Sequence, residues 1–467
     1  MSLALSAAAA APAISPRTRA LLEGRILPTL LRLAWPNVLV LLAQASVGLI
    51  ETWWVSRLGT DALAGMALVF PVFMMMQMLS AGAVGGGIAS AVARALGAGR
   101  RDDASALVLH AVVINLALGL LSSALVIGFG PALYGALGGQ GASLEAARRY
   151  SDVVFAGIAL VWLTNAFASV IRGTGNMLLP SLAICLGVAL LVPLSPVLIF
   201  GLGPLPGLGI AGAGIAVVST TALTAAVLGW YLWSGRALVR PGWTRLRWPF
   251  FADILRVGAV GSLSTLQTTL TIALTTALVG AAAGPDAIAG YGTASRLEYL
   301  LVPLVFGLGA PLVALVGTNI GAGNRRRALR IALAGGAIAF VLSQAVGLAA
   351  ATWPYAWLGL FGDDARMLET GAAYLRVVGP TYGFFGLGLS LYFASQGAGR
   401  LSWPLLAGLL RLLIAVAGGW AALHLTGSLG WLFAALAAAL VVYGLALVAA
   451  IASGVWFRGD AGRVRSR

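Results

Sequence analysis

The sequence predicts an all-α polytopic membrane protein: twelve transmembrane helices in two six-helix lobes related by a parallel internal repeat. Three observations carry that prediction. Of 467 residues, 60% are hydrophobic and 9% charged, whereas an ordinary soluble domain carries about a quarter charged residues. Apolar stretches of about 20 residues or more, each long enough to cross a hydrocarbon core of about 30 Å as a helix, recur from end to end. The third observation is that the chain repeats itself at a nearly constant offset.

The hydropathy places spans at 33–56, 62–93, 104–130, 148–172, 177–201 and 209–233, then at 256–281, 287–317, 328–353, 372–396, 402–424 and 430–456. Residues 1–28 read as a flexible tail without the basic start of a cleaved signal peptide. Residues 29–233 form an N-lobe and 252–457 a C-lobe, followed by a second tail at 458–467. The linker 234–251 mixes Arg236, Arg240, Arg245 and Arg247 with Trp243 and Trp248, a composition suited to a membrane interface.

All 29 basic residues are arginine and the formal net charge is +15. They sit in loops on one side, Arg411 being counted among them, while the other side keeps only Arg57, Arg148, Arg149, Arg366 and Arg376. Arg296 is left inside a span. This bias orients a multi-pass inner-membrane protein with both termini cytoplasmic and argues against a nucleic-acid surface. One cysteine, Cys185, excludes an internal disulfide, and two distant histidines, His110 and His424, offer no metal cluster. No phosphate loop, nucleophile elbow or triad is present, so nothing points to an enzyme or a cofactor.

The repeat is read from "GAGRRDDA" at 97–104 and "GAGNRRRA" at 321–328, an offset of 224, and from "LGTDALAG" at 58–65 and "AGPDAIAG" at 283–290, an offset of 225. Arg32 with Arg256, Tyr150 with Tyr374, Gly173 with Gly397 and Pro180 with Pro404 share the register. Six spans separate equivalent points, so the halves run the same way through the membrane, and a substrate path is expected between them. Such a repeat leaves the protein able to act as a monomer.

A carboxylate inside a span costs several kcal/mol if charged, so it faces a cavity, finds a partner or takes a proton. Most acids avoid this by lying in loops or capping helices, as Asp61 and Asp286 do; Glu51 and Glu298 do not. Glu51 either joins an interfacial belt with Trp53 and Trp54 or faces a pocket in the N-lobe. Glu298 is either functional or a tie between helices, and Arg296, two positions before it, cannot face it on a helix. Pro36, Pro71, Pro303 and Pro311 allow kinks. Met76 and Gln77, within "FMMMQMLS", suit either an adaptable cavity wall or plain packing. Close helix packing accounts for "GAVGGG".

These residues resemble the multidrug and toxic compound extrusion (MATE) family over nearly the whole chain. The matching stretches are "AWPNVLVLLAQASVGLIETWWVSRLGTDALAGMAL", "ARALGAGRRDDA", "IRGTGNMLLPSLAI", "LIFGLG", "AIAGYGTASRLEYLLVPLVFGLGAPLVALVGTNIGAGNRRRA" and "SQGAGRLSWPLL". The resemblance implies two six-helix lobes around a V-shaped cavity and export of small organic compounds driven by proton or sodium entry. Members commonly carry an acid in the first helix just before the "WV" pair; here it is Glu51 in place of Asp, which makes it the expected coupling group. Where several members place Asn and Asp in the fifth helix, this chain has Leu191 and Ser195. Where one branch uses acids in the seventh and tenth helices, it offers Gln267 and "GFFGLGLS". "SRLE" resembles a recurring pattern of the eighth helix and adds weight to Arg296 and Glu298.

Sodium prefers several converging oxygens, and one carboxylate with Ser195 and Thr52 is a poor cage. A proton needs a single buried acid. The expectation is therefore proton-coupled export of cationic or amphiphilic compounds by alternating access. Glu51, Glu298 and Ser195 are the coupling candidates, with Arg296, Pro36, Gln77, Met76, Gln267 and Pro303 lining the cavity or moving it. The alternatives are sodium coupling, or a flippase of lipids or lipid-linked sugars, whose cavity would hold more arginines.

Overall fold

Apolar helices that must satisfy every backbone polar group internally dominate the computed structural model, which describes residues 15–457. The N-lobe comprises Ile26–Ser56, Thr60–Gly97, Arg101–Ala136, the pair Gly141–Ala156 and Ile158–Gly173 bent by 45°, Leu178–Phe200 and Ile210–Trp233. The C-lobe comprises 248–283 and 285–321, then Arg325–Thr352, Ala365–Gly397, Ser402–Thr426 and Leu429–Ala452. The first two of these run on without a loop, broken only at Gly284, where φ is 80° and ψ is −169°. Counting the bent pair as one span, the twelve expected helices are present. Two strands of two residues each, Gly201–Leu202 and Leu205–Pro206, pair in the hairpin before the sixth span.

The internal repeat is visible in the backbone itself. Left-handed glycines recur at Gly99 and Gly323, Gly175 and Gly399, and Gly203 and Gly427, all 224 apart, and at Gly59 and Gly284, 225 apart. Only glycine adopts this conformation without strain, so both halves turn at equivalent points for the same reason.

Residues 15–28 depart from the expected flexible tail. Pro16–Glu23 is a helix capped by Ser15, whose hydroxyl accepts from the Thr18 amide at 3.1 Å, and the first span already starts at Ile26. Leu21 is buried and its carbonyl accepts from Asn319 Nδ2 at 3.2 Å, while the Gly24 carbonyl accepts from the Arg327 guanidinium. This segment therefore docks on the C-lobe although the helix it feeds belongs to the N-lobe. Residues 1–14 and the second tail, 458–467, lie outside the described residues.

The lobes meet on the side of the membrane nearest the termini. A Cβ at Gly97 would strike the Thr318 carbonyl, and one at Gly321 would strike the Arg94 carbonyl. Because 94 and 318, like 97 and 321, are repeat equivalents, the seam is a pseudo-two-fold contact in which each lobe presents the same patch to the other. Gly86 lies against Gln396 and Gly87 against the Ile254 carbonyl, so "GAVGGG" serves interlobe packing. Polar bonds lock the seam: Ser90 Oγ donates to the carbonyls of Gln396 (2.5 Å) and Gly397 (2.9 Å), Gln396 Nε2 donates to the Gly82 carbonyl (2.9 Å), and Arg94 pairs with Asp253 at 2.7 Å. A valine at Gly97 is expected to wedge the seam open. Spin labels at Arg100 and Arg326 would then report a longer separation than in the wild-type background, and an unchanged distance would show that the contact is not the closure.

Candidate functional site

Glu51 sits near the C-terminal end of the first span and Ser195 in the fifth, helices that pack side by side. Glu51 is only 6% exposed and Ser195 is fully buried, and the Ser195 hydroxyl donates to Glu51 Oε2 at 2.9 Å. Glu51 therefore faces the interior of the N-lobe and takes no part in an interfacial belt. Pro193 and Pro196 flank the serine inside its helix; each lacks an amide hydrogen, so the local ladder is loosened where the hydroxyl turns to the acid. Glu51 Oε1 has no partner among the described residues. Trp54, on the same helical face three residues on, likewise keeps an unpaired indole N–H. Tyr150, buried in the fourth span, lies within electrostatic reach of Glu51. The site is a carboxyl with one bonded and one open oxygen, walled by apolar helix.

Thr52 is not part of this centre: it is exposed and its hydroxyl is bonded to the Gly48 carbonyl at 2.7 Å. Leu191 is buried one turn from Ser195 and offers no oxygen. The remaining sequence candidates scatter. Gln77 Oε1 accepts from Asn165 Nδ2 at 3.0 Å, which also donates to Ser80 Oγ at 2.7 Å, beside the π-helical turn Met78–Val84. Met76 is half-buried against the N-lobe core. Pro36 is buried within the first span, and Gln267 of the seventh span donates to the Leu405 carbonyl at 3.2 Å. Pro303 lies within the helix 285–321; its side chain is outside the description.

The C-lobe pair reads differently from expectation. Arg296 is exposed on the eighth span, whereas Glu298 is half-buried and accepts from the Tyr374 hydroxyl at 3.4 Å. Arg411 lies within electrostatic reach of Glu298, but no ion pair joins the two among the described residues. Placed with the loop arginines by the sequence, Arg411 in fact lies nine residues into the eleventh span, about 13 Å from its start at 1.5 Å per residue. Its guanidinium stands 5.4 Å from the Phe385 ring centroid and 5.6 Å from that of Tyr443. Its offset from the span boundary was a sufficient signal, masked by treating the arginine as a topology marker. Asn165 and Tyr374 carried no sequence signal as site residues. Among the described residues no group of three or more metal-ligating side chains occurs.

The chain resembles proteins that transport compounds across membranes. The family model MatE matches residues 36–197 and 262–421. Among curated proteins, a FAD transporter of Shewanella oneidensis is 29% identical over 80% of this chain and 82% of its own length. A probable multidrug resistance protein NorM of Deinococcus radiodurans is 30% identical over 90% of this chain and 94% of its own. Among solved structures, a MATE protein in the bent conformation superposes with a TM-score of 0.87 at 25% identity, covering 96% of this chain and all of that one. The outward-facing conformation of a multidrug resistance MATE family transporter superposes at 0.84, also at 25% identity, over 95% of this chain and 98% of that one.

Replacing Ser195 by alanine removes the one described bond to the acid, and hydrogen bonds to charged groups contribute about 1.5–3 kcal/mol. Transport by Ser195→Ala is expected to fall about tenfold or more, while Ser195→Thr keeps most of it. Equal initial rates for the two variants in reconstituted vesicles would disconnect the serine from the acid's work.

Proposed function

This chain belongs to the MatE family, and we propose that it exports cationic or amphiphilic organic compounds in exchange for protons by alternating access, with Glu51 carrying the proton. The observation that carries this reading is the isolation of Glu51: buried, bonded to one hydroxyl, and without an ion pair among the described residues. An ionised acid so placed attracts either a cation or a proton. A single carboxylate and one serine suit a proton better than sodium, which prefers several converging oxygens.

In the cycle we infer, ionised Glu51 holds the N-lobe in the arrangement that receives an organic cation. Proton entry from the opposite side neutralises the acid, releases Ser195 from a charged partner and lets the compound leave. Each pH unit supplies about 1.4 kcal/mol per proton, enough for tenfold accumulation of a neutral cargo. The seam joining Ser90 and Arg94 to Gln396, Gly397 and Asp253 must part in the other half of the cycle. With the arginine-rich side taken as cytoplasmic, that parting exposes the path to the cell interior. The likeness to a FAD transporter makes that dinucleotide the informative contrasting cargo.

In proteoliposomes given an imposed proton gradient without sodium, wild-type protein is expected to drive ethidium export. Glu51→Gln is expected to bind ethidium but lose gradient-driven export by at least about tenfold. Retained, pH-dependent export by Glu51→Gln would remove the acid from the mechanism. FAD movement in place of ethidium movement would reassign the cargo, and export under sodium alone would reassign the ion.

A further inference from the structure

The linker that joins the lobes is pinned to the third span at two points. The Arg240 amide donates to Ser105 Oγ at 3.1 Å, and the Arg247 amide donates to His110 Nε2 at 2.9 Å. His110 is fully buried, with its other ring nitrogen 2.8 Å from the Ala106 carbonyl and its ring packed against Phe250 and Phe251. Val239, just ahead of the first pin, is fully buried as well. Ser105 and His110 are five residues apart, so the linker advances about 7.5 Å along the helix between its pins.

Between the pins runs "PGWTRL", 241–246, in which Trp243 is 98% exposed and Leu246 is exposed too; Trp248 follows at 73%. Both ends of the loop are fixed, so these apolar groups are held out from the protein. Indoles held in the open at the end of a span suit the headgroup level of a bilayer, where one part of the ring meets lipid and another meets water. Trp230 and Trp233, exposed on the last turn of the sixth span, belong to the same side, with the Arg236 guanidinium 5.0 Å from the Trp230 ring. The loop and the start of the third span border a cavity of about 620 Å³ whose lining includes Arg101, Asp102, Ser105, Arg240 and Thr244, a volume within the range of small-ligand sites. The Arg240 side chain is exposed there and has no ion pair among the described residues. The linker 234–251 holds four arginines and no acid.

We propose that this cavity binds the phosphate headgroup of an anionic phospholipid from the arginine-rich leaflet, with Arg240 as its principal cation and Trp243 and Leu246 against the lipid. Arginine suits the role because its planar fork meets two phosphate oxygens at once and stays charged beside lipid. Free phosphate shares that chemistry, but the exposed indole and leucine beside the cavity serve only a molecule with acyl chains, which commits the site to lipid. An anionic head is favoured over a zwitterionic one because Asp102 alone, against two arginines in the lining, could meet an ammonium group. The site draws on neither Glu51 nor Ser195, so it stands apart from the proton-exchange reading.

The test counts lipid on the intact chain. Delipidated protein in dodecyl maltoside is titrated with dioleoyl phosphatidylglycerol, and the lipid bound per chain is read by native mass spectrometry, with dioleoyl phosphatidylcholine as the zwitterionic reference. Phosphatidylglycerol is expected to bind about tenfold tighter than phosphatidylcholine at the first lipid retained. Arg240→Gln is expected to weaken that binding about fivefold, the effect of one basic residue beside an anionic headgroup, while Arg240→Lys keeps most of it. Arg326→Gln, in the equivalent loop of the C-lobe, is expected to leave it unchanged. Glycerol phosphate, the headgroup without chains, is expected to compete only at far higher concentration. An unchanged thermal unfolding midpoint reports separately that each variant is folded. Equal binding of the two lipids, equal losses in Arg240→Gln and Arg326→Gln, or glycerol phosphate binding as tightly as the lipid overturns the proposal.

Discussion

Burying one ionisable group in a helix wall that offers it no opposite charge is the constraint on which the N-lobe is built. The acid at position 51 cannot be left to lipid, so the first span must turn that face toward the fifth, and the fifth must present a hydroxyl at the matching height. Ser195 does so between two prolines, in a stretch where helix geometry already yields. A serine suffices because a hydroxyl can donate to the ionised acid and accept from the protonated one. An aspartate there would commit the site more strongly to one state.

The repeat gives two lobes one backbone plan and then spends its freedom on side chains. Turns, left-handed glycines and the reciprocal seam contacts are shared, because they serve folding and closure, which both halves need. The polar interiors are not shared. One lobe holds an acid bonded to a serine, the other an acid bonded to a tyrosine. Symmetry therefore governs the backbone that both halves need, and it is broken in the polar side chains they enclose.

The fold was legible because hydropathy, arginine bias and repeat register are additive signals over hundreds of residues. Span ends shifted by up to eight residues, chiefly where helices project beyond the apolar window, as at Trp248 and Gly321. Glu51 and Ser195 were legible because an acid in an apolar run is conspicuous and the family pattern pointed to its partner. Arg411 was misplaced because charge alone was used to assign it to a surface, although its distance from the helix start put it in the membrane. The docking of Leu21 and Gly24 was invisible, since short amphipathic segments carry no hydropathy signal and their partners lie some 300 residues away in sequence.

That docking gives the first span an unusual mechanical position. The segment leading into its N-terminal end is moored through Leu21 and Gly24 to Asn319 and Arg327 of the C-lobe, while the carboxyl near its other end is held by the N-lobe. The helix works as a lever spanning both rigid bodies, with buried Pro36 where its shaft can flex. Any parting of the two bodies loads this lever, and the load arrives at the acid. In the proposed cycle, the same rod carries the acid at one tip and is pulled at the other whenever the lobes change their angle, which ties chemistry to shape.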